Sequence, residues 1–380
     1  MRISNFNLTE ADHRFRTSAT VVWEDSDRPE KEIFIETTAP NAGALSVNPH
    51  AFLVGCLIPA IHLGEKRIAI SGSICPGLME GLTSAMALMR VWSNGAMQPL
   101  VIEPQKVTEK PGIDNRGRAG MVYSGGIDSI ATLRANMLRY PAEHPGAIKD
   151  CFFIHGFDIG GVVARGMKYH VFDRGLAAME RVTTAAGVEA IPVYTNIRHL
   201  CDDRDLWLNR FFGAVLAAVG HAFSKRVDLF CIAASYDLEN LAPCGSHPLL
   251  DPLYSSFDLA IAHKDAHLKR IDKLRLVADW EPAFQNFRVC LANVEDRLNC
   301  GKCEKCVRTM TGLVAIEALH KTSAFAADDV TPEMFAPFRI DIRHREPFYL
   351  ELLPALEKQG RMDLVSTIRS KLKGPATSAS

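Results

Sequence analysis

An α/β fold built on a doubly wound parallel sheet follows from three observations. From Ala119 onward, short apolar strands alternate with helices. A glycine loop, Ser124-Gly-Gly-Ile-Asp-Ser129, stands at the first strand-to-helix junction. Cys290, Cys300, Cys303 and Cys306 fall within seventeen residues near the end of the alternating region, the spacing of a metal knuckle.

Residues 1–110 have a different rhythm. His13 to Glu24 and Lys31 to Thr37 alternate apolar and polar residues, and the polar stretch between them reads as a turn, so a β-hairpin is expected. Arg67 to Ser71 predicts a strand, Gly77 to Val91 a helix, and Leu100 to Glu103 another strand. Gln105 to Gly120 has the Pro, Gly, Lys and Arg content of a linker. These elements predict a small N-terminal α+β accessory domain. Beyond it, strands at Met121–Tyr123, Cys151–Ile154, Ala190–Tyr194 and Asp228–Ala233 alternate with helices at Ile127–Leu138, Arg165–Ala186 and Asp205–Ser224. That alternation predicts a nucleotide-binding type of core over 111–325, in which ligands sit beyond the carboxyl ends of the strands. A helical tail is expected over 326–380.

Composition narrows the function. A formal net charge of −1 gives no bulk attraction to nucleic acid or to an anionic membrane. The longest apolar stretch, Phe211 to Phe223, is well short of the roughly 20 residues of a membrane span. Met1 to Phe15 carries charges and no apolar run, so no signal peptide is expected. Cys56, Cys75, Cys151, Cys201, Cys231 and Cys244 are isolated, which suits core filling in a reducing compartment. A cytoplasmic location is the expectation, with neither membrane nor nucleic acid as partner.

The glycine loop carries the chemistry. Ser124, Gly125 and Gly126 present backbone with little side chain, and the helix opening at Ile127 aims free N–H groups at whatever occupies the loop. Ser124 and Ser129 add hydroxyl donors, and Asp128 suits either a metal-bridged contact to phosphate or a contact at the helix N-terminus. The run Gly-x4-Gly-Lys-Ser/Thr of a Walker A loop is missing. The cysteines form C-x9-C-x2-C-x2-C, and four thiolates close a tetrahedral Zn²⁺ site with no position left for water, which makes the metal structural. A redox pair and an iron–sulfur cluster are the alternatives; the local spacing favours zinc.

The segment SGGIDS resembles the signature of the PP-loop ATP pyrophosphatase superfamily. Together with NCGKCEKCVR downstream, it is similar to the 7-cyano-7-deazaguanine synthase family over Ala119 to Leu319, without the N-terminal extension. The resemblance implies an adenine nucleotide alpha hydrolase-like fold, ATP, Mg²⁺ and Zn²⁺ as cofactors, and a homodimer. It also implies an ATP-dependent carbon–nitrogen ligase that cleaves ATP between its α and β phosphates, adenylates a carboxylate or amide, and joins it to ammonia, an amine or a protein acceptor. Where that family carries Tyr-Gly-Gln-Arg-His, this chain has Ile154-His-Gly-Phe-Asp158. Within this frame Ser124, Gly125, Gly126, Ile127, Asp128, Ser129 and His155 are expected to bind nucleotide. Asp128, Ser129, Asp237 and Lys264 are expected in catalysis, with Lys264 at the start of a helix and aimed at phosphate. His247 and Asp251, in a Pro-rich loop followed by a helix, are expected to meet the acid. Two rival readings are a sulfur transferase using a cysteine pair and a non-catalytic nucleotide sensor.

Overall fold

The computed structural model describes residues 1–108, 117–157, 159, 168–292, 294, 296–342 and 344–373. Part of the expected linker, Asp158, the start of the expected 165–186 helix and the end of the tail lie outside the described residues.

In chain order the strands are β1 (Arg2–Ala11), β2 (Arg14–Val22), β3 (Lys31–Thr38), β4 (Arg67–Ile74), β5 (Val101–Val107), β6 (Ala119–Val122), β7 (Ile148–His155), β8 (Glu189–Thr195), β9 (Leu229–Ala233) and β10 (Ala260–Lys264). The helices are α1 (Pro49–His62), α2 (Pro76–Trp92), α3 (Ile127–Arg139), α4 (Tyr169–Ala186), α5 (Arg204–Leu206), α6 (Phe212–Ala222), α7 (Arg270–Ala278), α8 (Glu281–Phe284), α9 (Glu304–Ala315), α10 (Glu346–Leu350), α11 (Leu353–Lys358) and α12 (Met362–Leu372). A π-helical turn, Trp207–Phe211, joins α5 to α6.

All ten strands form one sheet in the order β10-β9-β6-β7-β8-β3-β2-β1-β4-β5. The five strands from β6 onward are mutually parallel, with β7 and β8 to one side of β6 and β9 and β10 to the other. The order therefore reverses between β6 and β9, and in sheets of this kind ligands sit beyond the carboxyl ends of the strands at such a reversal. The expected hairpin forms as β2 against β3, in antiparallel register from Arg14↔Thr38 to Val21↔Lys31. Instead of closing a sheet of its own, it adds to the parallel one, because β3 pairs antiparallel with β8 through Ile35↔Thr195, Glu36↔Tyr194 and Thr37↔Val193. The strands β1 to β5 thus continue the same sheet beyond β8.

Two apolar cores cover the two faces. Alternation along β7 sends Phe152 and Ile154 to one face, with α1, α2 and α6, and Cys151 and Phe153 to the other, with α3, α4, α7 and α9. The sequence PHAFLVGCLIPAIH of α1 is apolar all round, as suits a helix buried on every side, and its partner α6 is equally apolar. They approach closely because position 55 is glycine: a Cβ there would lie 3.1 Å from Ile197 and 3.4 Å from Ala218.

Two expectations need correction. Lys264 does not begin a helix; it closes β10, opposite Ala233, and α7 begins later at Arg270. The loop carrying His247 and Asp251 leads through a 3-10 turn, Asp251–Tyr254, into β10 and not into a helix. The segment Ala260–Lys264 is short and carries polar residues at one end, so it lacks the apolar run that marks the other parallel strands.

Candidate functional site

β6 delivers Ser124 to Ser129 to the point where the strand order reverses. Gly125 has φ of +70°, a backbone conformation that side chains disfavour, and its carbonyl accepts from the Arg288 N–H at 2.7 Å. Ser129 Oγ donates to the Gly126 carbonyl at 3.0 Å and lies 3.3 Å from Ser124 Oγ, so the two hydroxyls close the turn. Gly126 occupies the N-cap of α3 and no side chain caps that helix. Its first N–H groups and its dipole are therefore directed at the loop, the arrangement that binds anions elsewhere.

Asp128, in the first turn of α3, is paired with two cations from α7. Arg270 Nη1 donates to it at 2.8 Å and Lys273 Nζ at 3.4 Å. Burial works to raise the Asp128 pKa, but the neighbouring Arg270 and Lys273 outweigh it and hold the carboxyl below its usual range. Lys273 is 1% exposed and also donates to the Ala234 carbonyl, just past β9. It thus ties the two strands at the reversal to one charge. Sequence reasoning chose Lys264 to reach phosphate and so missed Arg270 and Lys273; their i, i+3 spacing at the start of a helix was the available signal. It also missed Glu351, whose carboxyl burial pushes up to about 7, against the opposing pull of Arg270.

The other expected residues are placed as follows. His155 ends β7, next to β6, and is buried among aromatic rings, stacked on Tyr169 with centroids 4.8 Å apart. Its Nε2 has no hydrogen-bond partner among the described residues, and burial, reinforced by Arg14 and His199, lowers its pKa to about 4. The hairpin reaches this spot: the Arg14 guanidinium lies 4.0 Å from the Tyr194 ring centroid and donates to Glu36 beside a cleft of about 460 Å³. Asp237 follows β9, but its carboxylate is engaged locally, accepting from the Glu239 N–H and the Asn240 amide. His247 and Asp251 lie on the α2 and α6 side of the sheet, away from α3 and α7. His247 packs edge-on against Trp92, and Asp251 accepts from Ser246 Oγ at 2.6 Å and pairs with His263 Nδ1 at 2.8 Å. The structure brings the loop, Asp128 and the α7 cations together; it does not bring His247 or Asp251 to them.

The second centre lies close by. The sulfurs of Cys290, Cys300, Cys303 and Cys306 all fall within 4.8 Å of one another, with Cys300–Cys306 and Cys290–Cys303 at 3.9 Å. A tetrahedron with metal–sulfur arms of about 2.3 Å has edges of about 3.8 Å, close to the two shortest sulfur–sulfur separations. Backbone N–H groups of Lys302 and Cys303 point at Cys300 Sγ, and that of Ala292 at Cys290 Sγ, which helps hold thiolate charge. Asn299 braces the knuckle, accepting from the Val289 and Cys290 N–H groups and donating to the Phe287 carbonyl. The four cysteines can hold a metal ion such as zinc.

Comparison with family models, with curated proteins and with solved structures finds no match. The functional reading therefore rests on the two centres and their connection. That connection is short: Arg288, whose N–H holds the Gly125 carbonyl, is two residues from Cys290. Among the described residues no helix is long and apolar enough to cross a membrane.

Proposed function

We propose that this chain is an ATP-dependent ligase-type enzyme that adenylates a carboxylate, with a deazaguanine-like acid as substrate and an amide or nitrile as product. The observation that carries the reading is the loop Ser124–Ser129, opening on the uncapped N-terminus of α3 where the strand order reverses, with Arg270 and Lys273 beside Asp128. The SGGIDS signature and the four-cysteine knuckle support it further.

In this mechanism the acid's carboxylate attacks the α-phosphorus, the bond to the β-phosphate breaks, and pyrophosphate leaves. The α3 N–H groups and the serine hydroxyls hold the departing charge, and fixed donors that need no reorganisation are an effective way to lower such a barrier. Ammonia then attacks the acyl carbon, gives up a proton, and AMP departs to leave the amide; the nitrile needs a second ATP, with the amide oxygen adenylated and lost in AMP. Mg²⁺ supplies charge neutralisation on the phosphates when bound, and Asp128 is the loop carboxylate that would face it. Zinc bound by the four cysteines holds the knuckle together.

The test is to incubate the protein with ATP, Mg²⁺, ammonia and 7-carboxy-7-deazaguanine and follow AMP, pyrophosphate and base products by mass spectrometry. Amide or nitrile should appear with AMP, and Asp128→Asn should lower AMP formation by about a hundredfold. ATP that binds yet yields no AMP with this or any other acid would sink the reading and favour a nucleotide sensor.

A further inference from the structure

Arg308 is a buried cation that the mechanism above leaves without a role. It sits on α9 two residues after Cys306, with its side chain 8% exposed. Its Nε has no hydrogen-bond partner among the described residues. The nearest carboxylate, Glu304 one turn earlier, stands 3.5 Å from that atom and is shared with Tyr349 Oη at 3.2 Å and with Arg345 at 3.7 Å. A guanidinium withdrawn from water and short of an acceptor is costly unless an anion completes it.

Its surroundings indicate which anion. The Arg308 guanidinium lies 4.5 Å from the ring centroid of Phe348, and that of Arg270 lies 5.6 Å from the same centroid. Phe348, which also stacks on Tyr236 after β9, therefore gathers both arginines into one cluster. Arg270 donates from that cluster to Asp128 at the glycine loop. Arg270, Lys273, Arg308 and Arg345 are four cations set against the three carboxylates Asp128, Glu304 and Glu351. The excess is positive and adjoins an uncapped helix N-terminus.

We propose that Arg308 is an anion-binding residue of the glycine-loop site, donating to the departing pyrophosphate, and that the four-cysteine knuckle sets it there through the first turn of α9. The proposal rests on the adenylation reading and adds to it the residue that joins the metal centre to the phosphate chemistry. A planar guanidinium suits this task because it offers paired donors to phosphate oxygens, which a lysine cannot reproduce.

The experiment measures binding of inorganic pyrophosphate and of ATP, each with Mg²⁺, by calorimetry on the full chain and on Arg308→Met and Arg308→Lys, alongside metal content and thermal unfolding. Arg308→Met should weaken pyrophosphate binding about tenfold or more while keeping the metal, and Arg308→Lys should recover only part of the loss. Wild-type affinity in Arg308→Met overturns the proposal. Should that variant fail to fold, wild-type affinity in Arg308→Lys overturns it equally. Wild-type protein that binds neither ligand would remove the adenylation reading itself, whereas binding that ignores Arg308 removes only this residue's part.

Discussion

Burial holds His50, His155 and His221 neutral. Their pKa values fall to about 3, about 4 and about 4, chiefly through desolvation; the His221 ring adds to the effect on His50, and Arg14 and His199 add to it on His155. Folded values below the ordinary 6.5 mean that the unfolded chain takes up these protons first as pH drops. Stability is then full above about pH 6.5 and declines toward pH 4, by roughly 1.4 kcal/mol per pH unit for each histidine. Urea midpoints measured at pH 7.5 and pH 5 should show that decline, and a flat profile would contradict it. Such environments were only partly legible. The place of the glycine loop between a strand and a helix was legible, because an apolar strand runs straight into it. Arg270, Lys273 and Arg308 were not, because a basic residue's burial depends on what folds over it. Here Phe348, which touches both arginines, comes from far along the chain.

Among elements, the hairpin and the parallel strands β6 to β9 were legible, since alternating or wholly apolar runs bounded by polar turns have one reading. The helix α1 was not. Its apolar residues run all round it, so no helical period stands out, and two prolines interrupt the sequence; Pro49 proves to be in the first turn and Pro59 near the end. β1 hid behind polar residues such as Ser4, Asn5, Asn7 and Thr9 because most of its side chains are at least partly exposed. The helix α9 links the two centres: its N-cap is Cys303, and Cys306 and Arg308 follow on its first turns. A metal held by the four cysteines would therefore support this element. The purified chain should carry one zinc equivalent, and Cys303→Ser or strong chelation should remove it and destabilise the fold by about 4 kcal/mol, the range typical of a lost metal site. Metal analysis beside a melting curve checks this; a Cys303→Ser chain that melts like wild type would show that no metal supports the knuckle.

At the scale of the whole molecule, the parallel core could be read from the alternation of strands and helices. The place of β1 to β5 could not be, because β3 and β8 are more than 150 residues apart and nothing local in either strand names its partner. That pairing has a practical consequence. A chain shortened to begin at residue 109 would leave the backbone donors and acceptors of β8 unpaired along the flank that β3 covers, and would strip α1 from the apolar surface of α6. Exposed strand flanks of this kind recruit other chains. Such a shortened protein should self-associate in light scattering, even though its glycine loop and cysteines are intact; a stable monomer would mean that β3 contributes little to holding β8. The roles of the first hundred residues are therefore better separated by single substitutions at Arg14 or Glu36 than by cutting the chain.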